Sequence, residues 1–336
     1  MELPKFEDIV KFENFPKNTF NVYFTMGHYC TLGCDYCTNI HDKSINDIDR
    51  ALDISRNFFK IKSYIEKRSK GKILGLYLLG GEPMMYPIMD IYNNIDIQFD
   101  HVHIITNLSK PTYRYIQLYN DLKNLGCDFK IQISAHTNRI PIEMYEKKIV
   151  EILEKAPSMI QSIIYVVEYD NVESLKKVMD LGNRYGIRIS THRMRKYHNY
   201  PMDDRLYDDE TENILLSNKN YHMMSKLTTL SSIYEFSFLG ELSTYYPLDN
   251  LYGLYCDITQ HSIRIDNLGD IRIAPVCRCK IVRSKFDFGE QKSFNIVRDS
   301  EKFINSKMII PDWVVCKNEV CPMNAKKTLL RDMKYE

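Results

Sequence analysis

Three cysteines stand close together near the front of the chain, in the run Cys30-Thr31-Leu32-Gly33-Cys34-Asp35-Tyr36-Cys37. Thiolates are soft donors, and three on one short C-x3-C-x2-C loop suit zinc or an iron–sulfur cluster. A cubane cluster takes four thiolates, and the next cysteine, Cys127, is ninety residues further on. Three sulfurs therefore leave one metal position open to a substrate or cofactor, the arrangement that separates catalytic from closed structural sites. His41 follows Cys37 at zinc-ligand spacing, so a tetrahedral zinc site of three cysteines and one histidine is the alternative reading.

A second group of cysteines falls in the last quarter of the chain: Cys256, Cys277, Cys279, Cys316 and Cys321. One cysteine, a hairpin, another cysteine and then a closer pair make a tetrathiolate site for iron–sulfur or zinc. Cys256, Cys277, Cys316 and Cys321 are the favoured set. Cys279 is the alternate to Cys277, because strand periodicity puts both on one face. Cys127 follows the helix-ending Gly126 and reads as a small buried residue.

These groups need a scaffold, and residues 20 to 193 supply one. Strand-like and helix-like runs alternate six times: strands at Asn21–Thr25, Ile73–Leu79, Val102–Thr106, Phe129–Ser134, Ser162–Val167 and Ile187–Thr191. Helices are expected from Asn46 to about Lys67, around Tyr115–Leu125, over Ile142–Ala156 and over Val172–Tyr185. Apolar strands separated by helices imply a parallel sheet with helices outside, with ligand-binding loops at the carboxyl ends of the strands. The first such loop carries the front cysteines, and the second strand ends in Gly80-Gly81-Glu82-Pro83. Paired glycines there permit close backbone approach.

The two motifs together resemble the signature of the radical S-adenosylmethionine enzymes, C-x3-C-x-aromatic-C with Tyr36 as the aromatic, followed by Gly-Gly-Glu-Pro. The resemblance implies an α/β fold, a partial (β/α)6 TIM-like barrel. It implies that Cys30, Cys34 and Cys37 hold a [4Fe–4S] cluster whose open iron chelates S-adenosylmethionine. Gly80, Gly81 and Glu82 would bind the methionyl ammonium, and Tyr36 would lie beside the adenine. One electron would then cleave the sulfonium to methionine and a 5′-deoxyadenosyl radical, which abstracts a substrate hydrogen. Thr106-Asn107 resembles the Thr-Asn after the third strand of these enzymes, although Leu108 stands where glycine often follows. At other strand ends, Ser134, Glu168 and His192 are candidates for cofactor binding, and His136 is a weaker one.

The C-terminal cysteines resemble the auxiliary-cluster extension called twitch, the reduced relative of the SPASM domain. That implies a second iron–sulfur cluster, with zinc as the other occupant, and an oxidative modification of a peptide or protein side chain. The alternatives are the same chemistry on a small molecule such as an amino-sugar or nucleotide, or a non-catalytic zinc- or cluster-binding module. A flavodoxin or ferredoxin would be the electron donor.

The expected organisation is an N-terminal segment (1–17), the barrel (18–195), a connector with one or two helices (196–250) and the cysteine-rich extension (251–336), a hairpin plus a helix. The 336 residues carry a net charge of +1, which argues against a nucleic-acid-coating surface. No run of about 18 apolar residues occurs, so no membrane span is expected. The acidic and basic first residues are not those of a signal peptide, and the expected location is the cytoplasm, where thiols stay reduced.

Overall fold

The computed structural model describes residues 19–34, 37, 46–167, 171–193, 210–211, 214, 234–238, 242–246, 255–256, 262–272, 294–307, 314–315 and 330–331. Six strands build the barrel: β1 (Thr19–Thr25), β2 (Ile73–Leu79), β3 (His101–Thr106), β4 (Asp128–Ala135), β5 (Ile160–Val167) and β6 (Ile189–Arg193). They pair in sequence order and in parallel. Parallel neighbours need crossovers, and helices provide them: α1 (Asn46–Arg56), α2 (Phe59–Ser69), α3 (Ile88–Ile95), α4 (Thr112–Asn124), α5 (Ile142–Lys155) and α6 (Val172–Tyr185).

Strand alternation sorts the side chains. Phe20, Val22 and Phe24 of β1 are fully buried and face the helices, with the ring of Phe24 5.4 Å from that of Phe58. The opposite face of the same strands is polar and aromatic. Tyr23 stacks on Tyr77 at 4.8 Å, Tyr77 meets His103 at 4.8 Å, and Gln132 donates to the Ser162 hydroxyl at 2.7 Å.

Several features depart from the sequence expectations. The single helix expected from Asn46 is broken, because Asn57 and Phe58 make i−3 bonds to Ile54 and Ser55. Asn57 also donates its amide to the Asp53 carbonyl, while the side chain of Phe58 turns fully into the core. Helix α3 was not anticipated, though Ile88, Ile91, Tyr92 and Ile95 sit on one buried helical face. The connector contains a hairpin, β7 (Tyr234–Phe238) against β8 (Leu242–Tyr246), besides helical residues at 210–211 and 214.

The anticipated hairpin near Gly269 forms from β10 (Ser262–Ile265) and β11 (Ile271–Arg272), but it does not stand apart. Its first strand pairs in parallel with β1, Tyr23 opposite Arg264. The main sheet is thus eight strands in the order β11-β10-β1-β2-β3-β4-β5-β6, seven of them parallel. Its edges, β11 and β6, do not meet, so the barrel is open. The expected partial, TIM-like α/β architecture is what forms, with an extra parallel strand. Lys60 of α2 clasps the C-terminal segment by donating to the carbonyls of Ile296, Val297 and Asp299, just before α7 (Glu301–Lys307).

A small antiparallel sheet joins β9 (Tyr255–Cys256) to β12 (Val314–Val315) and β13 (Leu330–Arg331). No helix among the described residues is long and apolar enough to cross a membrane.

Candidate functional site

The cysteine loop leaves the end of β1 and is held by backbone contacts to the end of β2. Met26 N–H donates to the Leu79 carbonyl, Gly81 N–H to Gly27 and Glu82 N–H to Tyr29. This pairing is why the glycines are needed. A Cβ on Gly81 would lie 2.4 Å from the Tyr29 carbonyl oxygen, and one on Gly80 3.0 Å from that of Gly27. Three side chains complete the anchorage. The Tyr86 hydroxyl accepts from Tyr29 N–H, Asp47 accepts from His28 N–H, and Arg139 donates to the Gly33 carbonyl. A turn from the Cys37 N–H to the Cys34 carbonyl brings the second and third cysteines together.

A cavity of about 220 Å3 opens beside this loop, at the carboxyl ends of β2, β3 and β4. Cys30, Cys34 and Cys37 line it with Gly80, Gly81, Asn107, Ser134 and His136. None of the three cysteines is in a disulfide, and the described residues contain no group of three ligating side chains already drawn together around one point. Three soft donors on one cavity, next to two residues without side chains, fit in kind a cluster with a bulky ligand on it.

Glu82 lies behind the cavity wall and has no solvent exposure. One carboxylate oxygen accepts from Met84 N–H at 3.1 Å and from the Thr106 hydroxyl at 2.7 Å. The other accepts from Asn107 N–H at 2.7 Å. Burial pushes its pKa up, opposed by those three donors. Thr106 in turn accepts from Leu108 N–H and from the fully buried Tyr115 hydroxyl. The glutamate of the Gly-Gly-Glu-Pro run therefore ties the end of β2 to the end of β3. The expectation of an ammonium ligand gave it a place on the cavity; the geometry gives it a place in the wall.

Leu108 stands after Thr106-Asn107 at a left-handed position that suits glycine. It adopts φ +56°, yet its side chain is buried. Lys148 of α5 holds the turn by donating to the carbonyls of Leu108 and Lys110.

At the end of β4, His136 is a residue that sequence reading underrated. Its Nε2 lies 3.0 Å from the Ser134 hydroxyl and its Nδ1 3.5 Å from Cys34 Sγ. Burial pulls its pKa down to about 4, so the imidazole is neutral. The signal available was its i+2 spacing from Ser134 on the same strand face.

Of the other candidates, Tyr36 and Glu168 lie outside the described residues, as does His41. His192 sits on β6 opposite Val166, its side chain outside the described set. Cys256 is on β9, while Cys277, Cys279, Cys316 and Cys321 lie outside the described residues. Cys127 is buried, and burial raises its thiol to about 11.

Residues 24–182 match the family model described as the Radical SAM superfamily. Over that segment, just under half of the chain, the sequence is similar to radical SAM domains. The match runs from the end of β1 through the cysteine loop and the glycine pair to most of α6, and a domain of this family implies a [4Fe–4S] cluster and S-adenosylmethionine. Two solved structures are similar to the chain. Streptococcus suis SuiB is 16% identical, with 89% of this chain and 68% of that one covered and a TM-score of 0.49. Coproporphyrinogen III oxidase HemN of Escherichia coli, described as a radical SAM enzyme, is 12% identical, with 74% and 60% covered and a TM-score of 0.44. Neither likeness carries an argument about the reaction. No curated protein sequence matches the chain.

Proposed function

We propose that the chain is a radical SAM enzyme carrying out an oxidative modification of a peptide or protein side chain in the cytoplasm. Residues 18–195 are its catalytic barrel, 196–250 a connector and 251–336 an auxiliary-cluster extension. The observation that carries the proposal is the shared cavity. Cys30, Cys34 and Cys37 face it from one side, and Gly80 and Gly81, with no side chains, from another.

In this reading the three thiolates hold the cluster and leave one iron for the amino and carboxylate groups of S-adenosylmethionine. When bound, that pair supplies one-electron cleavage of the sulfonium and a 5′-deoxyadenosyl radical that removes a substrate hydrogen. The protein's own part is to bind and to exclude water. Gly80 and Gly81 offer backbone to the methionyl end, Tyr36 sits against the adenine, and Asn107, Ser134, Glu168 and His192 surround the rest from successive strand ends. Glu82 acts on the cofactor through the wall it braces. The reducing electron comes from a flavodoxin or ferredoxin.

Cys256, Cys277 (or Cys279), Cys316 and Cys321 would hold an auxiliary iron–sulfur cluster, which would supply a one-electron acceptor and so make the net reaction an oxidation. Backbone pairing supports this reading: Val314, two residues before Cys316 in sequence, lies opposite Cys256.

The test is iron, sulfide and zinc analysis of anaerobically purified full chain. Two clusters' worth of iron and sulfide are expected, and changing Cys30, Cys34 and Cys37 together to Ala should remove only the front share. Loss of all iron would refute the auxiliary cluster, and zinc in place of iron at the front would refute the radical reading.

A further inference from the structure

Two N–H groups from successive strand ends point at two of the front sulfurs. Asn107 Nδ2 lies 3.6 Å from Cys30 Sγ, and His136 Nδ1 lies 3.5 Å from Cys34 Sγ. The direction of each bond follows from the other partners of the donor and from the acceptor. Asn107 Oδ1 accepts from Ser109 N–H at 2.9 Å, so the NH2 end of the amide is the one facing sulfur. A cluster-bound Cys34 thiolate could only accept, so with the cluster in place Nδ1 of His136 would carry its proton and Nε2 would accept from the Ser134 hydroxyl, 3.0 Å away. The backbone around both donors is pinned as well. Asn107 N–H goes to Glu82, and His136 N–H goes to the Tyr145 hydroxyl at 3.0 Å.

We infer that Asn107 and His136 are positioning residues whose N–H groups, given to Cys30 and Cys34, set the reduction potential of the cluster site. This rests on the reading that those cysteines bind the cluster. A hydrogen bond to a ligand sulfur withdraws electron density from the metal, favours the reduced form and raises the potential. The enzyme thereby trades reducing power for easier filling by its electron donor. Ser134 contributes by holding the imidazole tautomer.

The experiment uses the anaerobically reconstituted full chain, with redox titration followed by electron paramagnetic resonance. His136→Leu and Asn107→Leu, which lack the N–H, should each shift the midpoint to more negative potential. His136→Asn, which keeps an N–H near the Nδ1 position, should stay close to the unaltered protein. In protein labelled with 15N-histidine, pulsed measurements on the reduced cluster should show a nitrogen coupling that vanishes in His136→Asn. Unchanged midpoints in both leucine variants, or a coupling that survives His136→Asn, overturn the inference. Should His136→Leu load no cluster, the labelled comparison and Asn107→Leu still decide. Absence of iron and sulfide from the unaltered protein would instead refute the cluster reading itself.

Discussion

The carboxylate of Glu82, one residue past the glycine pair, accepts the backbone N–H of Asn107 at 2.7 Å and so joins the end of β2 to the end of β3. Removing it strands three buried donors. Glu82→Ala should destabilise the apo-protein by ~3–5 kcal/mol, and Glu82→Gln, which puts an NH2 against one of those donors, by ~2 kcal/mol. Urea unfolding checks both. A glutamate whose work was only to contact the cofactor would leave apo stability unmoved.

Gly81 and Gly80 should differ in their tolerance of a methyl group. Gly81→Ala places Cβ 2.4 Å from backbone oxygen, whereas Gly80→Ala meets its nearest oxygen at 3.0 Å. We expect ~3 kcal/mol of destabilisation for the first and ~1 kcal/mol for the second. Thermal unfolding of the apo-protein measures the difference, and equal melting temperatures would contradict it.

Leu108 combines a left-handed backbone with a buried side chain. Both Leu108→Ala and Leu108→Gly lose that burial, ~2–4 kcal/mol. Only glycine relieves the backbone, worth ~1 kcal/mol. Leu108→Gly should therefore be the more stable of the two by ~1 kcal/mol in chemical denaturation, the reverse of the order at an ordinary position.

Cys127 supplies a pH dependence. Its folded pKa is raised by burial from 9.0 to about 11. The folded state thus keeps its proton longer than the unfolded chain does. The stability this contributes is fully present below pH 9 and is lost as pH rises through 11. The gap in unfolding free energy between the native chain and Cys127→Ala should narrow by ~2 kcal/mol from pH 8 to 10.5. At pH 8 the same thiol should resist alkylation until the protein unfolds.

Much of this was legible in the residues, and what was not has a physical cause. The six strand–helix alternations are local patterns, and the strands and most helices fall where periodicity put them. The cysteine loop and Gly80-Gly81 could be assigned to neighbouring strand ends because parallel strands in sequence order bring those ends together. The pairing of β10 with β1 was not legible: it joins Tyr23 to Arg264, and no local period reports a partner so distant. The break at Asn57 and Phe58 was hidden by a helical pattern that runs straight across it. The bracing role of Glu82 was not legible, because its type suggests a cation ligand while its donors, Met84, Thr106 and Asn107, emerge only once β2 and β3 lie side by side. The bond from His136 to Cys34 spans 102 residues and depends on where one ring points.

The most direct test of the central claim is product analysis after the reconstituted, reduced protein is incubated with S-adenosylmethionine. The account predicts 5′-deoxyadenosine and methionine in equal amounts, abolished when any one of Cys30, Cys34 or Cys37 is changed to Ala. A protein that carries a reducible cluster yet leaves S-adenosylmethionine intact, or cleaves it equally well without Cys34, would contradict it.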